Sequence, residues 1–117
     1  MIAVDKKLSR ETSLADRFQQ LRDEWKEQSQ YLSNTTQMAM LRPYQQVIGM
    51  GPAVVPLILE ELRNEPDLWF WALEAITNEQ PVPSEAVGHV ESSASAWLEW
   101  GRRKGLIPPR ARPLAQA

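Results

Sequence analysis

Hydrophobic residues recur every three or four positions over most of the chain, which is the spacing of one face of an α-helix. The clearest case lies over residues 12–32, where Thr12 and Ser13 are suited to cap a helix N-terminus. The apolar residues that follow form one stripe: Leu14, Phe18, Leu21, Trp25 and Leu32. No alternating, β-branched segment of strand length occurs. The pattern therefore predicts an all-α protein.

Prolines and glycines divide the remaining chain into further helices. Pro43 is suited to the first turn of a short helix that ends at Gly49, and Pro52 begins the next helix after Gly51. Gly105 is a stop signal for the last helix. The predicted helices cover residues 43–49, 52–62, 67–77 and 84–104. The apolar stripe of the last one is Val87, Val90, Ala94, Trp97 and Leu98.

These elements predict one compact bundle of about five helices. The chain has 117 residues, which is the usual size of a single domain. Residues 1–11 show no helical periodicity, and we expect a flexible arm there. Residues 12–104 form the helical domain, and residues 105–117 are predicted to be a tail containing proline and arginine.

The helix predicted over residues 67–77 is apolar on nearly all sides. At 100° per residue, Trp69 and Trp71 point about 200° apart, so one packing surface does not cover both rings. Either two neighbouring elements enclose this helix or one ring is available to a partner. We predict that Trp71 and Trp97 are internal and that Trp69 and Trp100 are exposed.

Charge is unevenly distributed although the formal net charge is only −2. No Lys or Arg occurs between Arg63 and Arg102, whereas acidic residues accumulate there. A net negative chain argues against binding to duplex DNA, which normally requires a basic surface.

A basic cluster follows the acidic stretch: Arg102, Arg103, Lys104, Arg110 and Arg112. Cations at the end of a helix complement the helix dipole, and a solvated tail tolerates charge, so this cluster has a purely structural explanation. The alternative is that these five residues contact the phosphates of a single-stranded nucleic acid, with Trp100 stacked on a base.

The residues needed for most catalytic and metal sites are missing. The chain has no cysteine, and His89 is its only histidine. Thiolate metal sites, cysteine nucleophiles and paired-histidine sites are therefore excluded. Gly49 and Gly51 lack the remaining residues of a phosphate-binding loop. We expect no enzymatic activity, no cofactor and no bound metal, and an enzyme would require an active site completed by a partner or a borrowed cofactor.

Two segments resemble one HEAT-type helical hairpin: residues 51–62 (GPAVVPLILEEL) and residues 69–76 (WFWALEAI). No second copy at a fixed period is present, so an extended helical array is not expected.

Most of residues 44–105 also resembles a family of small bacterial proteins with no assigned activity. The resemblance rests on these segments: YQQVIGMG (44–51), WFWAL (69–73), AIT (75–77), PVP (81–83) and AWLEWG (96–101). It implies a bacterial, cytoplasmic protein, and it transfers no catalytic residue. Short proteins of this kind are often encoded beside a larger partner, as antitoxins and immunity proteins are.

The sequence therefore suggests a non-catalytic module that binds another protein, encoded nearby, as an antitoxin- or immunity-like inhibitor or as an accessory subunit. Its docking face would be acidic and rich in tryptophan, and it would meet a basic partner surface. The expected partner-binding residues are Trp69, Phe70, Glu74 and Trp100. No apolar segment is long enough to span a membrane, and no contact with one is expected.

Overall fold

A computed structural model describes the backbone of residues 6–109 and the side chains of residues 14–109. This part of the chain forms six α-helices and no strand, which confirms the all-α prediction. The helices are α1 (Lys6–Ser29), α2 (Thr35–Met40), α3 (Arg42–Gly49), α4 (Val55–Asn64), α5 (Phe70–Thr77) and α6 (Val90–Arg103). Single 3₁₀ turns at Pro52–Val54 and Ser84–Ala86 precede α4 and α6.

The first helix begins earlier than the sequence pattern predicted. Helix α1 starts at Lys6, so residues 6–11 of the predicted arm are helical and Thr12 and Ser13 lie inside the helix. Residues 6–29 contain no glycine or proline. The N-terminal part of this segment therefore contains no residue that strongly disfavours a helix. Residues 1–5 lie outside the described part of the chain.

Local signals set several other helix ends. The Asn34 side chain caps α2 by accepting a 3.1 Å hydrogen bond from the Gln37 N–H. Pro43 and Pro56 lie in the first turns of α3 and α4, where a missing N–H costs little. Gly105 follows α6 with a φ of 73°, a conformation that favours glycine.

Helices α4, α5 and α6 begin later than predicted because local turns precede them, and for α4 this is the 3₁₀ turn at Pro52–Val54. The Asp67 carboxylate accepts a hydrogen bond from the Leu68 N–H at 2.8 Å, and the Asp67 carbonyl accepts one from the Trp69 N–H at 2.9 Å. Before α6, Gly88 has a φ of 93° and separates the 3₁₀ turn from the helix.

Four aromatic rings from three parts of the chain meet at the centre of the fold. Trp69 stacks on Tyr44 with 5.2 Å between ring centroids and 3° between ring planes. The ring centroids of Trp25 and Phe18, both on α1, lie 4.7 Å and 5.7 Å from the ring centroid of Trp69. These rings join α1, α3 and the turn before α5 into one core.

The Tyr44 hydroxyl completes the start of α5. It donates a 2.9 Å hydrogen bond to the Leu68 carbonyl and accepts one of 3.0 Å from the Ala72 N–H. Trp69 occupies the N-cap position of α5, and its side chain does not cap the helix. The Tyr44 hydroxyl of α3 accepts the hydrogen bond from the Ala72 N–H instead. Burial raises the pKa of the Tyr44 hydroxyl well above its usual range, which keeps this donor protonated.

A second tie between distant segments is ionic. Glu61 on α4 is buried and accepts a 2.8 Å hydrogen bond from Arg22 of α1. Lys26, one turn further along α1, lies 3.4 Å from the same carboxylate and also pairs with the exposed Glu65. The hydrogen bond and charge of Lys26 lower the pKa of Glu65.

Helices α4 and α6 pack against each other closely at Gly101. A Cβ atom there would lie 2.6 Å from Leu59 Cδ1 and 3.4 Å from Ile107 Cγ1. Ile107 itself is buried in the core. The segment predicted as a tail from residue 105 thus contributes a core residue before the described part of the chain ends at residue 109.

Tyr44→Phe tests the capping role of the hydroxyl. We expect the free energy of unfolding to fall by about 1 to 3 kcal/mol, because a buried carbonyl and a buried N–H each lose their partner. Urea denaturation followed by circular dichroism measures the change. Tyr31→Phe is the matched control because Tyr31 is 88% exposed. Equal stability of the two variants would contradict the role given to Tyr44.

Glu61→Gln tests the ionic tie between α1 and α4. In this variant a neutral amide replaces the carboxylate that compensates the charges of Arg22 and Lys26. We expect the free energy of unfolding to fall by about 1 to 3 kcal/mol. Glu65→Gln, at the exposed end of the same network, should change stability little. Similar urea midpoints for the two variants would refute the assignment.

Candidate functional site

A groove of about 280 Å³ opens between α2, α5 and the N-terminal end of α6. Its walls come from five parts of the chain, and most of the residues are apolar. They are Thr35, Ala39, Tyr44, Leu68, Phe70, Trp71, Glu74, Gln80, Val82, Val87, Gly88, His89, Val90 and Ser93.

One wall of the groove is a face of α5. Phe70 and Glu74 are half-buried and lie one helical turn apart, and Trp71 between them is 46% exposed. The opposite face of the helix, formed by Ala72 and Leu73, is fully buried. Helix α5 is therefore apolar on both sides, and only one side is covered by the fold.

The other wall is the connection from α5 to α6. Asn78 ends α5 in the left-handed conformation with a φ of 58°. The Ser93 hydroxyl donates a 3.2 Å hydrogen bond to the Ala86 carbonyl, which ties this connection to α6. Val87 and Val90 are 62% and 37% exposed beside the groove. Their prediction as part of a buried stripe was wrong, because α6 begins only at Val90.

The polar groups of the groove differ in their availability. The hydroxyls of Tyr44 and Ser93 are engaged in structural hydrogen bonds. Glu74 forms no ion pair or side-chain hydrogen bond with any residue in the described range, and no Lys or Arg lines the groove. No group of three or more potential metal ligands occurs in residues 6–109. The groove thus offers apolar surface beside one carboxylate.

The exposure predicted for the tryptophans was wrong at three positions. Trp69 is 0% exposed because it precedes α5 and stacks in the aromatic core, so a helical wheel does not describe it. Trp71 was expected inside, yet it points to the surface of the groove. Trp100 is 6% exposed and packs edge-on against the buried Trp97 with 5.2 Å between centroids. Trp97 is internal as predicted.

The four predicted partner-binding residues are therefore separated. Phe70 and Glu74 line the groove, whereas Trp69 and Trp100 lie in the core. The spacing of three residues between Trp97 and Trp100 was a signal that both face the same side of α6. The sequence analysis did not identify Trp71 as the exposed ring. No local sequence pattern indicated that Val87 lines a groove.

Three of the five residues of the basic cluster lie in the described part of the chain. Arg102 is half-buried and lies 3.5 Å from the carboxylate of Glu99 on the preceding turn. Arg103 and Lys104 are exposed at the end of α6. Arg110 and Arg112 lie outside the described range. The buried Trp100 has no exposed face for stacking on a base.

Comparison with family models, with curated proteins and with solved structures finds no significant match for this chain. The resemblances to a HEAT-type hairpin and to a small bacterial family remain predictions. Within residues 6–109, no helix combines the length and apolar character needed to cross a bilayer.

The variants Trp71→Ala and Trp69→Ala compare the contribution to stability of a partly exposed ring with that of a buried one. We expect Trp71→Ala to change the free energy of unfolding by less than about 1 kcal/mol, since the ring is largely outside the core. Trp69→Ala removes the central ring and should cost about 3 to 5 kcal/mol or prevent folding. Urea denaturation monitored by circular dichroism distinguishes them. A severe loss of stability in Trp71→Ala would show that this ring serves the fold.

Proposed function

We propose that this protein is a non-catalytic, helical protein-binding module that inhibits a larger partner, as antitoxins and immunity proteins do, or serves as its accessory subunit. The observation that carries the proposal is the exposed face of α5 and its groove. Trp71, Val87 and Val90 together expose a contiguous group of large apolar side chains. Tryptophan with apolar neighbours is typical of the centre of a protein interface.

Charge around the groove supports a basic partner surface. Glu74 lies in the wall, and the sequence from residue 64 to residue 101 contains acidic residues but no Lys or Arg. Such a surface speeds encounter with a cationic partner and discriminates against anionic ones, while the apolar centre prolongs the complex.

The fold is suited to this role because the groove is fixed by elements outside it. The stacked pair of Tyr44 and Trp69 sets the start of α5, and Ser93 ties the connection that carries Val87. A preformed surface loses less conformational entropy on binding than a mobile one. The proposal includes the HEAT-like pairing of α4 with α5 and a bacterial cytoplasmic setting, both inferred from sequence resemblance.

Nucleic-acid binding through the C-terminal basic segment is the alternative proposal, and the described structure supports it less. Only Arg103 and Lys104 are exposed cations at the end of α6, and the stacking ring proposed for this role is buried. A single-stranded nucleic acid requires several phosphate contacts together with exposed aromatic rings.

The test is capture of the partner from the native cell by the full chain, followed by reconstitution of the complex with the purified partner. Trp71→Ala should weaken the reconstituted complex about tenfold or more, because a central tryptophan commonly contributes at that level. Isothermal titration calorimetry measures the affinity.

Tyr31→Ala is the matched control for this test. Tyr31 is an exposed aromatic residue outside the groove, and its removal should leave the affinity unchanged. Equal loss in both variants, or no loss in Trp71→Ala, would refute docking at the groove. Salt-sensitive binding of single-stranded DNA or RNA by the wild-type chain, abolished by Arg103→Ala with Lys104→Ala, would favour the alternative instead.

A further inference from the structure

We propose that the groove beside Trp71 binds a short peptide segment of the partner in which an arginine adjoins a large apolar residue. The apolar side chain packs against Trp71 and Val87, and the guanidinium pairs with Glu74. This inference rests on the proposed docking function and names the chemistry of what docks.

The size of the groove limits its occupant to one or two side chains. Its volume of about 280 Å³ lies just below the roughly 300 to 1,000 Å³ that is typical of small-molecule pockets. A whole helix or a folded surface does not enter such a space, whereas neighbouring side chains of an exposed segment do.

The apolar wall requires an apolar group. Both sides of the groove are lined mostly by hydrocarbon and aromatic surface, from Phe70, Trp71, Val82, Val87 and Val90. Covering these groups with an aliphatic side chain removes apolar area from water, which is the main favourable term for such a contact.

The carboxylate in the wall requires a cation. Glu74 is half-buried on α5, and none of the described residues pairs with it. An uncharged occupant would remove water from this carboxylate and leave it without a partner, and an anionic occupant would be repelled. A cationic occupant compensates the charge, so the same site selects for apolar and positive groups together.

Arginine fits better than lysine because of the ring beside the carboxylate. Trp71 and Glu74 are three residues apart on α5 and therefore lie on adjacent positions of one helix face. A planar guanidinium forms paired hydrogen bonds to a carboxylate and also stacks on an indole, whereas an ammonium is more strongly hydrated.

The experiment titrates the ¹⁵N-labelled full chain with two probes of the same shape, N-acetyl-leucyl-arginine amide and N-acetyl-leucyl-citrulline amide. Citrulline replaces the charged guanidinium with a neutral urea. We expect saturable shifts of the Trp71 indole signal with both, and about fivefold tighter binding of the arginine probe at moderate salt. The Trp71 signal is assigned by its loss in Trp71→Phe.

Glu74→Gln should abolish the preference, so that both probes bind with equal affinity. Glu91→Gln is the control, because Glu91 is an exposed glutamate of the same acidic half that does not line the groove. This control should retain the preference. Dispersed amide spectra of both variants verify that each remains folded.

Equal binding of the two probes to the wild-type chain, or shifts confined to residues outside the groove, would overturn the proposal. So would a preference that persists in Glu74→Gln. If the probes fail while Trp71→Ala still weakens the partner complex, docking at the groove stands and the arginine assignment is wrong. If Trp71→Ala has no effect on the partner complex, the proposed function fails independently of the probes.

Discussion

The arrangement of this protein depends on Tyr44, whose ring stacks on Trp69 and whose hydroxyl bonds the backbone at the start of α5. The Tyr44 hydroxyl, supplied by α3, satisfies the backbone of Leu68 and Ala72, and its ring covers the indole that precedes α5. Helix α5 has only eight residues and no side-chain cap of its own. A helix this short is unstable alone, so its position and its start are set by this tertiary contact.

Helix type and several helix ends were predictable because they follow from local backbone chemistry. A proline in the first turn fixes φ without losing a hydrogen bond, as at Pro43 and Pro56. A glycine after the last turn adopts a left-handed conformation at low cost, as Gly105 does. These properties belong to the residue and its immediate neighbours, and they predicted the C-terminal ends of α3 and α6 within about one residue.

The candidate site was predictable only in part, because it depends on contacts between distant segments. Phe70 and Glu74 were recognised from the composition of their segment, and both line the groove. The exposed ring was misassigned because helical periodicity was extended to Trp69, which the stack with Tyr44 places outside the helix. Moving the helix start to Phe70 changes which ring the core covers, and no pattern within residues 67–77 carries that information.

The same contact links the core to the groove. Tyr44 lines the groove, and its hydroxyl caps α5. A core residue therefore fixes the position of the wall that carries Trp71 and Glu74. The fold covers the Ala72 and Leu73 side of α5 and leaves the Trp71 side beside the carboxylate of Glu74, which pairs with none of the described residues. A partner that buried this face, as proposed above, would complete the packing of a helix that is apolar on nearly all sides. Its binding energy would also stabilise the segment that the Tyr44 contact holds.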